Sequence, residues 1–214
     1  GEDLPINTWY MKRFAGLSED GLSLWYYTDK ETNEEKTTTT YSTGDFYLCG
    51  DPNPDLYGGF GTSITFHGFD LSTQFSYLVG GYDYGYAGMM GNPTATSVGN
   101  RWHKDVLKAW SPENPSSTIP RWHFNDLNTT GSSDRFLIDG SYLNLQNIQV
   151  GYTLPDSWTS HLKIKNLRLY FVCDNVYYWS KRKGLDPRRS ISGVGTSGKI
   201  APFRTYSGGI SLQF

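Results

Sequence analysis

Long apolar segments are missing from this 214-residue sequence. No apolar run approaches the roughly 18 to 20 positions that a membrane-spanning helix requires. The opening residues GEDLPINTWY lack the basic and apolar segments of a signal peptide, so none is expected at this end. The mean hydropathy is -0.53. That value leaves both a soluble protein and a strand-built membrane protein open, because lipid-facing and water-facing residues alternate along spanning strands.

A strong charge of either sign is missing as well. The 19 basic and 21 acidic residues give a formal net charge of -2. Proteins that bind a phosphate backbone normally present an excess of Lys and Arg. We therefore expect no nucleic-acid partner.

The sequence is also poor in the residues that build catalytic and metal sites. Cys49 and Cys173 are far apart and form no CxxC or Cys/His pattern. We expect them to be unpaired residues of half-buried strands, although a disulfide between them stays open. No histidine lies in an HExxH pattern or at a zinc-ligand spacing; the histidines are His67, His103, His123 and His161. No GxSxG, phosphate-loop or dinucleotide motif occurs, so we expect no enzyme, no cofactor and no metal site.

Aromatic residues and glycine are abundant instead, and large residues alternate with small or polar ones. Aromatics make up 16% of the chain, which favours strands over helices. Residues 57 to 78 form two alternating runs joined at His67-Gly68, the pattern of a β-hairpin. Further alternating runs occupy residues 142 to 154, 164 to 178 and 206 to 214. In the first of these runs, the positions of the large side chains change from odd to even numbers near Asn147, which predicts a β-bulge.

The connections between these strands are unequal. Residues 7 to 14 and 22 to 28 predict a further strand pair, which gives roughly seven strands in all. Each of the long runs has a length that can cross a bilayer when the strand is tilted. Long polar segments lie between the runs, at 29 to 50, 81 to 134 and 180 to 203, and a short helix is predicted at 102 to 110. Short turns at one end and long loops at the other are typical of an outer-membrane barrel. We therefore predict an all-β, antiparallel meander of long strands, a segment of a transmembrane β-barrel with long extracellular loops.

Five ordered segments resemble a known family, the SusC-like (RagA-like) TonB-dependent outer-membrane transporters. The segments are GDPNPDLYGGFGTSITFHGFDLSTQFSYLVGG (50 to 81), WSPENPSSTIPRW (110 to 122), DRFLIDGSYLNLQNIQVGYTLP (134 to 155), LRLYFVCDNVYYWSKRKGLDPR (167 to 188) and the final FRTYSGGISLQF. This chain departs from the family at one place. Where many members have an acidic DxNGDG stretch, this chain has DKETNEEKTTTTYSTGD. That stretch lacks the close carboxylate and glycine spacing of a calcium loop, so we expect no metal there.

The resemblance implies a barrel of about 22 strands in a much longer chain. It implies that residues 1 to 214 are the C-terminal portion of a TonB-dependent receptor barrel, with the plug domain and earlier strands absent from this chain. It further implies import of oligosaccharides or peptides across the outer membrane, with a SusD-like lipoprotein and TonB as partners of the parent protein. Because a barrel fragment has unpaired edges, we also expect edge-strand self-association of the isolated fragment.

Aromatic residues in the long loop are the candidate ligand contacts, since flat rings with polar groups can stack on sugars or line a peptide groove. They are Tyr82, Tyr84, Tyr86, Trp102, Trp110 and Trp122. The alternative roles are packing the loops together and forming the interfacial girdle. Other aromatics suit an interfacial girdle near strand ends, namely Trp25, Tyr152, Trp158 and Tyr178. A basic loop, Lys181, Arg182, Lys183, Arg188 and Arg189, has anionic lipopolysaccharide as a candidate partner, with ordinary solvation as its alternative.

Two other classes of protein compete with this interpretation. A secreted, aromatic-rich β-sandwich that binds carbohydrate would explain the Tyr and Trp content without a membrane. A glycan hydrolase has less support, because no pair of carboxylates is held at a defined separation by the sequence.

Overall fold

The computed structural model describes residues 3–85, 104–122, 131–159, 163–181, 186, 188, 193 and 202–214. Within these residues the secondary structure is almost entirely β. The strands are β1 (Tyr10–Lys12), β2 (Phe14–Leu17), β3 (Ser23–Thr28), β4 (Glu35–Thr38), β5 (Phe46–Leu48), β6 (Leu56–Phe66), β7 (Phe69–Val79), β8 (Tyr82–Asp83), β9 (Ile138–Asp139), β10 (Tyr142–Thr153), β11 (Asn166–Ser180) and β12 (Thr205–Gln213). One helical turn, α1, spans Asp156–Thr159, and 3₁₀ helices span Lys104–Lys108 and Asp134–Phe136.

The chain divides into two compact units. The sheet unit comprises residues 54–80, 141–183 and 200–214, and the loop unit comprises residues 1–53, 81–140 and 184–199. The sheet unit is one antiparallel five-stranded sheet in the order β12-β11-β10-β7-β6. Strands that are consecutive in this unit are neighbours in the sheet, so the expected antiparallel meander of long strands is confirmed.

A two-residue turn joins β6 to β7. Phe66 pairs with Phe69 across the sheet, and the intervening His67 and Gly68 have φ values of 47° and 84°. Positive φ at both central positions is the signature of a type I′ turn, whose twist matches that of the flanking strands. The predicted hairpin is confirmed, with His67 as a turn residue.

The predicted bulge in β10 is also confirmed. The register of β10 shifts between Leu145 and Asn147 against both of its neighbours. On β11, the irregularity lies near Asn175, whose φ is 53°. Such bulges bend a strand and raise its twist, as a curved wall requires.

One face of the sheet unit is apolar. Phe60 pairs with Phe75, and their rings stack with centroids 4.8 Å apart. Further along, Leu71 pairs with Val150 and Val150 with Phe171, so one apolar row crosses three strands. The last strand extends this face with exposed side chains: Ile210, Leu212 and Phe214 are 65%, 49% and 73% exposed. The described part of this unit contains no second sheet stacked on it, so the unit is not a β-sandwich.

The other face of the sheet is mostly polar. Ser63 pairs with Ser72, and Ser72 with Gln149. At the turn end, Arg168 on β11 donates two hydrogen bonds to Asp70 on β7, at 2.9 and 2.5 Å. Gly151 lies between them on β10, where a side chain would overlap both groups. The alternation of side chains along the strands therefore places apolar residues on one face of the sheet and mostly polar residues on the other.

The loop unit has a small core of its own. Phe136 is 2% exposed and packs against Tyr84, Val106, Ile119 and Ile138. Trp25 is fully buried between Phe14 and Tyr41, with centroids 5.8 and 5.2 Å away. The prediction that Trp25 belongs to an interfacial girdle is therefore wrong.

The first 53 residues differ from the sequence prediction in their pairing. A strand pair is present around GLSEDG as predicted, but its first strand is β2 (Phe14–Leu17) and not residues 7 to 14. β3 pairs with both β2 and β4, while β1 pairs with β5. The segment 29 to 50, expected to be a loop, contains β4 and β5. A tight turn explains β4: Asn33, at φ 56°, donates its N–H to Asp29 O at 2.7 Å and returns the chain against β3.

No helix among the described residues is both long and apolar enough to cross a membrane. The predicted short helix at 102 to 110 is seen as the 3₁₀ helix Lys104–Lys108, with residues 102 and 103 outside the described part.

Candidate functional site

An open bowl in the loop unit combines aromatic, charged and hydroxyl side chains in its lining. Its volume is about 1070 Å³. Its walls are β1, the end of β3 with the turn that follows, and the chain leading into β5. The lining residues are Tyr10, Lys12, Tyr27, Thr28, Asp29, Lys30, Glu31, Ser42, Thr43, Gly44, Asp45, Phe46 and Tyr47.

Exposed aromatic rings form one wall of the bowl. Tyr10 and Phe46 are stacked, with centroids 5.4 Å apart and planes 27° apart, and they are 64% and 48% exposed. Tyr47 is held by Arg13, whose guanidinium lies 4.7 Å from its ring centroid and 4.3 Å from that of Tyr26. Glu35 fixes Arg13 in turn through a 3.1 Å ion pair. The rings are therefore braced flat surfaces against which a ligand can stack.

Lys12 is a buried residue of the bowl lining. It is 3% exposed, and its Nζ donates to Gly44 O at 2.5 Å and lies 4.7 and 4.8 Å from the ring centroids of Tyr41 and Phe46. Burial lowers the pKa of Lys12, and the nearby Asp45 opposes that shift. The cation thus holds the chain before β5 against β1.

Carboxylates also line the bowl. Asp45 accepts a hydrogen bond from the Thr28 N–H at 2.6 Å. Asp29 forms an ion pair with Lys36, and the hydrogen bond from that ammonium, together with the Glu31 N–H, lowers the pKa of Asp29 to about 2. Ionised carboxylates beside aromatic rings and backbone groups suit ligands rich in hydroxyl or N–H donors.

The loop aromatics predicted as ligand contacts do not line this bowl. Tyr84 packs between Trp9 and Phe136, with centroids 5.3 and 6.0 Å away, and donates to the Ser132 hydroxyl at 3.1 Å. Trp110 covers Gly21, leaving no room there for a side chain. Tyr82 and Trp122 are 45% and 39% exposed. Tyr86 and Trp102 lie outside the described residues. Ligand contact by any of the six stays a prediction.

Sequence reasoning missed the bowl because its aromatics lie in segments that were expected to be a strand pair and a loop. Tyr10 and Phe46 come together only through the β1–β5 pairing, which joins residues more than 30 positions apart, and Tyr27 is contributed by β3. Alternation within one segment contains no signal for such a pairing.

The remaining predicted positions are divided between the two faces and the two units. The register places Tyr152 on the apolar face of the sheet, which is consistent with a girdle position. Tyr178 instead pairs with Asn144 and lies on the polar face, because its chain neighbours Tyr177 and Trp179 lie on the apolar face. Trp158 on α1 is 67% exposed. In the basic loop, Arg188 pairs with Asp186 at 2.7 Å, while Arg182, Lys183 and Arg189 lie outside the described residues.

Neither a disulfide nor a metal cluster is found in the described residues. Cys49 and Cys173 are both free thiols; Cys173 lies in β11, whereas Cys49 directly follows β5 and is not in a strand. Within the same part of the chain, no group of three His, Cys, Asp or Glu side chains could hold a metal ion.

Comparison with known proteins finds relatives in one class of receptor. No family model matches the sequence. The chain is 30% identical to the TonB-dependent receptor P3 of Formosa agariphila in an alignment of 211 residues that covers 94% of this chain. It is 28% identical over 180 residues to the TonB-dependent receptor SusC of Bacteroides thetaiotaomicron. It spans only about a fifth of the length of these relatives, 20% and 17% respectively.

Comparison with solved structures finds proteins of similar fold. The fold is similar to that of a chain of the RagAB peptide transporter, with a TM-score of 0.76 and 26% identity over 97% of this chain and 23% of that chain. Against the RagAB peptide importer in its open-open state, the TM-score is 0.70 at 26% identity, covering 97% of this chain and 22% of that chain.

Proposed function

Because the chain is a β-barrel segment of a SusC/RagA-like TonB-dependent receptor, we propose that it forms part of the wall and the extracellular loops of an outer-membrane importer. The 30% identity over 94% of the chain is the observation that most strongly supports this proposal. The two-faced sheet supports it physically: an apolar face meets lipid and a polar face meets the water of the lumen. No enzymatic activity is part of the proposal.

The proposal assigns residues 1 to 214 to the C-terminal portion of the receptor barrel. A plug domain and the earlier strands would belong to other parts of the parent protein. Inside hydrocarbon every backbone donor and acceptor must be paired within protein, so the edge strands β6 and β12 need neighbours from the rest of a closed barrel.

In the proposed cycle, an oligosaccharide or peptide binds under a SusD-like lipoprotein, and TonB then drives movement of the plug. The bowl and the loop aromatics are the proposed contacts of this chain with the imported molecule. Braced rings such as Tyr10 and Phe46, beside the carboxylates of Asp29 and Asp45, suit either ligand class.

Uptake by the native bacterium tests the proposed function. The parent gene is deleted, and cells are supplied with single oligosaccharides or oligopeptides as the nutrient. We expect loss of growth on at least one of them, restored by the intact gene but not in cells lacking TonB. A receptor found outside the outer membrane, or growth unchanged on every nutrient tried, would contradict the proposal.

Variants of the importer then test the ligand contacts. Tyr10→Ala with Phe46→Ala removes the stacked pair, and Tyr82→Ala with Trp122→Ala removes the exposed predicted aromatics. Removing a stacking surface should weaken ligand binding by about tenfold. Ile6→Ala, which removes an 80% exposed apolar side chain outside the bowl lining, is the matched control and should leave binding unchanged.

The isolated fragment is proposed to self-associate through its edge strands. Unpaired strand edges are templates for pairing with another copy. Analytical ultracentrifugation of residues 1 to 214 should show dimers or larger species that increase with concentration. A clean monomer at all concentrations would argue against edge pairing.

A further inference from the structure

An apolar groove of about 500 Å³ lies on the sheet unit, at the ends of β7, β10 and β11 farthest from the His67-Gly68 turn. Tyr77 and Trp179 both pair with Leu143, so the three side chains form one row across three strands on the apolar face. Neighbouring strands are about 4.8 Å apart, so the row spans roughly 10 Å. Trp179 is 48% exposed and is fixed by an edge contact with Tyr177, 4.8 Å between centroids.

The apolar row ends in polar groups toward the loops. Two positions further along the strands, the same face presents Val79, Ser141 and Lys181, all of which line the groove. In the sequence, Lys181 is followed by Arg182 and Lys183, so the groove opens at the start of a cationic run. The feature therefore combines a half-exposed apolar trough with a row at its outer end that contains the cation Lys181 and Ser141, whose hydroxyl accepts a hydrogen bond from the Gly80 N–H at 2.9 Å.

We propose that this groove binds a phosphorylated glycolipid of the outer leaflet, with an acyl chain along Tyr77, Leu143 and Trp179 and a lipid phosphate at Lys181. The inference rests on the proposed function, which orients the long-loop end of the strands outward. Charge complementarity selects the occupant: an acyl chain accounts for the trough alone, whereas a phosphate accounts for Lys181 at its outer end. The phenol and indole lie where amphipathic rings favour a membrane interface.

Lipid retention by the full-length receptor tests the inference. The receptor is placed in phosphatidylcholine nanodiscs, titrated with diphosphoryl lipid A, and analysed by native mass spectrometry. Lys181→Gln should weaken retention of lipid A by about fivefold. Trp179→Ala should weaken it by about tenfold through lost apolar contact.

Two matched controls are taken from β11 and from the residue just before it. Lys165→Gln neutralises a cation just before β11 begins, and Phe171→Ala removes a 50% exposed ring from the middle of the apolar face. Both should leave retention within about twofold of the wild type. With dephosphorylated lipid A, Lys181→Gln should have no effect.

The inference would be overturned if Lys181→Gln and Lys165→Gln retained lipid A equally, or if Lys181→Gln had the same effect on both forms of lipid A. The bound lipid would then be ordinary annular lipid. These outcomes are separable from failure of the proposed function. A receptor that inserts and imports normally but retains lipid A without dependence on Trp179 and Lys181 refutes the groove alone. A receptor that never reaches the outer membrane refutes the proposed function instead.

Discussion

Gly151 shows how a single residue without a side chain organises the polar face. Asp70 and Arg168 belong to strands that are not neighbours, β7 and β11, and their ion pair passes over β10 at Gly151. Any Cβ at this position would overlap both charged groups. The glycine therefore permits a link across three strands.

Gly151→Ala should cost about 1 kcal/mol or less, the usual range for a partly exposed ion pair, because Asp70 and Arg168 must separate. Thermal unfolding of the purified receptor measures the effect. Gly208→Ala is the matched control, since its Cβ would meet only Tyr170 O at 3.9 Å. In a receptor that already carries Arg168→Gln, Gly151→Ala should cost nothing further. An equal cost in both backgrounds would show that the ion pair is not the cause.

Asp29 predicts an acid sensitivity of the β3–β4 hairpin. Its pKa is lowered to about 2, first by the Lys36 hydrogen bond, from about 3.9 in an unfolded chain. A lowered carboxyl pKa stabilises the fold above the unfolded value, and the stabilisation is lost as pH falls through the folded value. Hydrogen exchange of residues 23 to 38 should therefore be faster in Asp29→Asn than in wild type at neutral pH, with the difference shrinking as pH falls toward 2.

The control for Asp29 is Glu34→Gln, a neutralisation in the same turn. Its exchange should follow the wild type at every pH. If Asp29→Asn and wild type differ equally at neutral pH and near pH 2, the ion pair does not produce the sensitivity.

At the level of elements, the β6–β7 turn determines the register of the hairpin. Gly68→Val would place a β-branched residue at φ 84° and its Cβ 2.6 Å from Thr153 O. The left-handed conformation alone costs about 1 to 2 kcal/mol for an ordinary residue. We expect a smaller fraction of receptor assembled in the outer membrane, measured by heat-modifiable migration in gels. His67→Gly, which relieves a positive φ, should assemble normally, and equal assembly of both variants would contradict this account.

The long strands could be predicted from sequence because their physics is local. Phe60, Ile64 and Phe66 alternate with small residues, and the bulge near Asn147 shifts the parity within one segment. The short strands could not be predicted in this way: β1 is a strand because β5, distant in sequence, pairs with it. Trp25 likewise resembled a girdle residue until the surrounding Phe14 and Tyr41 showed it to be core.

At the level of the whole molecule, sequence similarity identified the class of receptor, and physics accounts for the sheet that this class requires. Two units with different chemistry share the chain, one a wall with opposite faces and the other a compact set of loops around Phe136 and Trp25. The bowl was not foreseen because its lining, from Tyr10 to Tyr47, is assembled by pairings between distant segments.

The central claim is that alternate residues of the wall face lipid and water, and cysteine scanning of β12 tests it most directly. Single cysteines replace Ile210 or Leu212 on one face and Ser207 or Ser211 on the other, in a receptor whose Cys49 and Cys173 are serine. In intact outer membranes, a water-soluble maleimide should label the Ser207 and Ser211 positions and spare the other two. Rapid labelling of the Ile210 and Leu212 positions, equal to that at Ser207 and Ser211, would contradict the account.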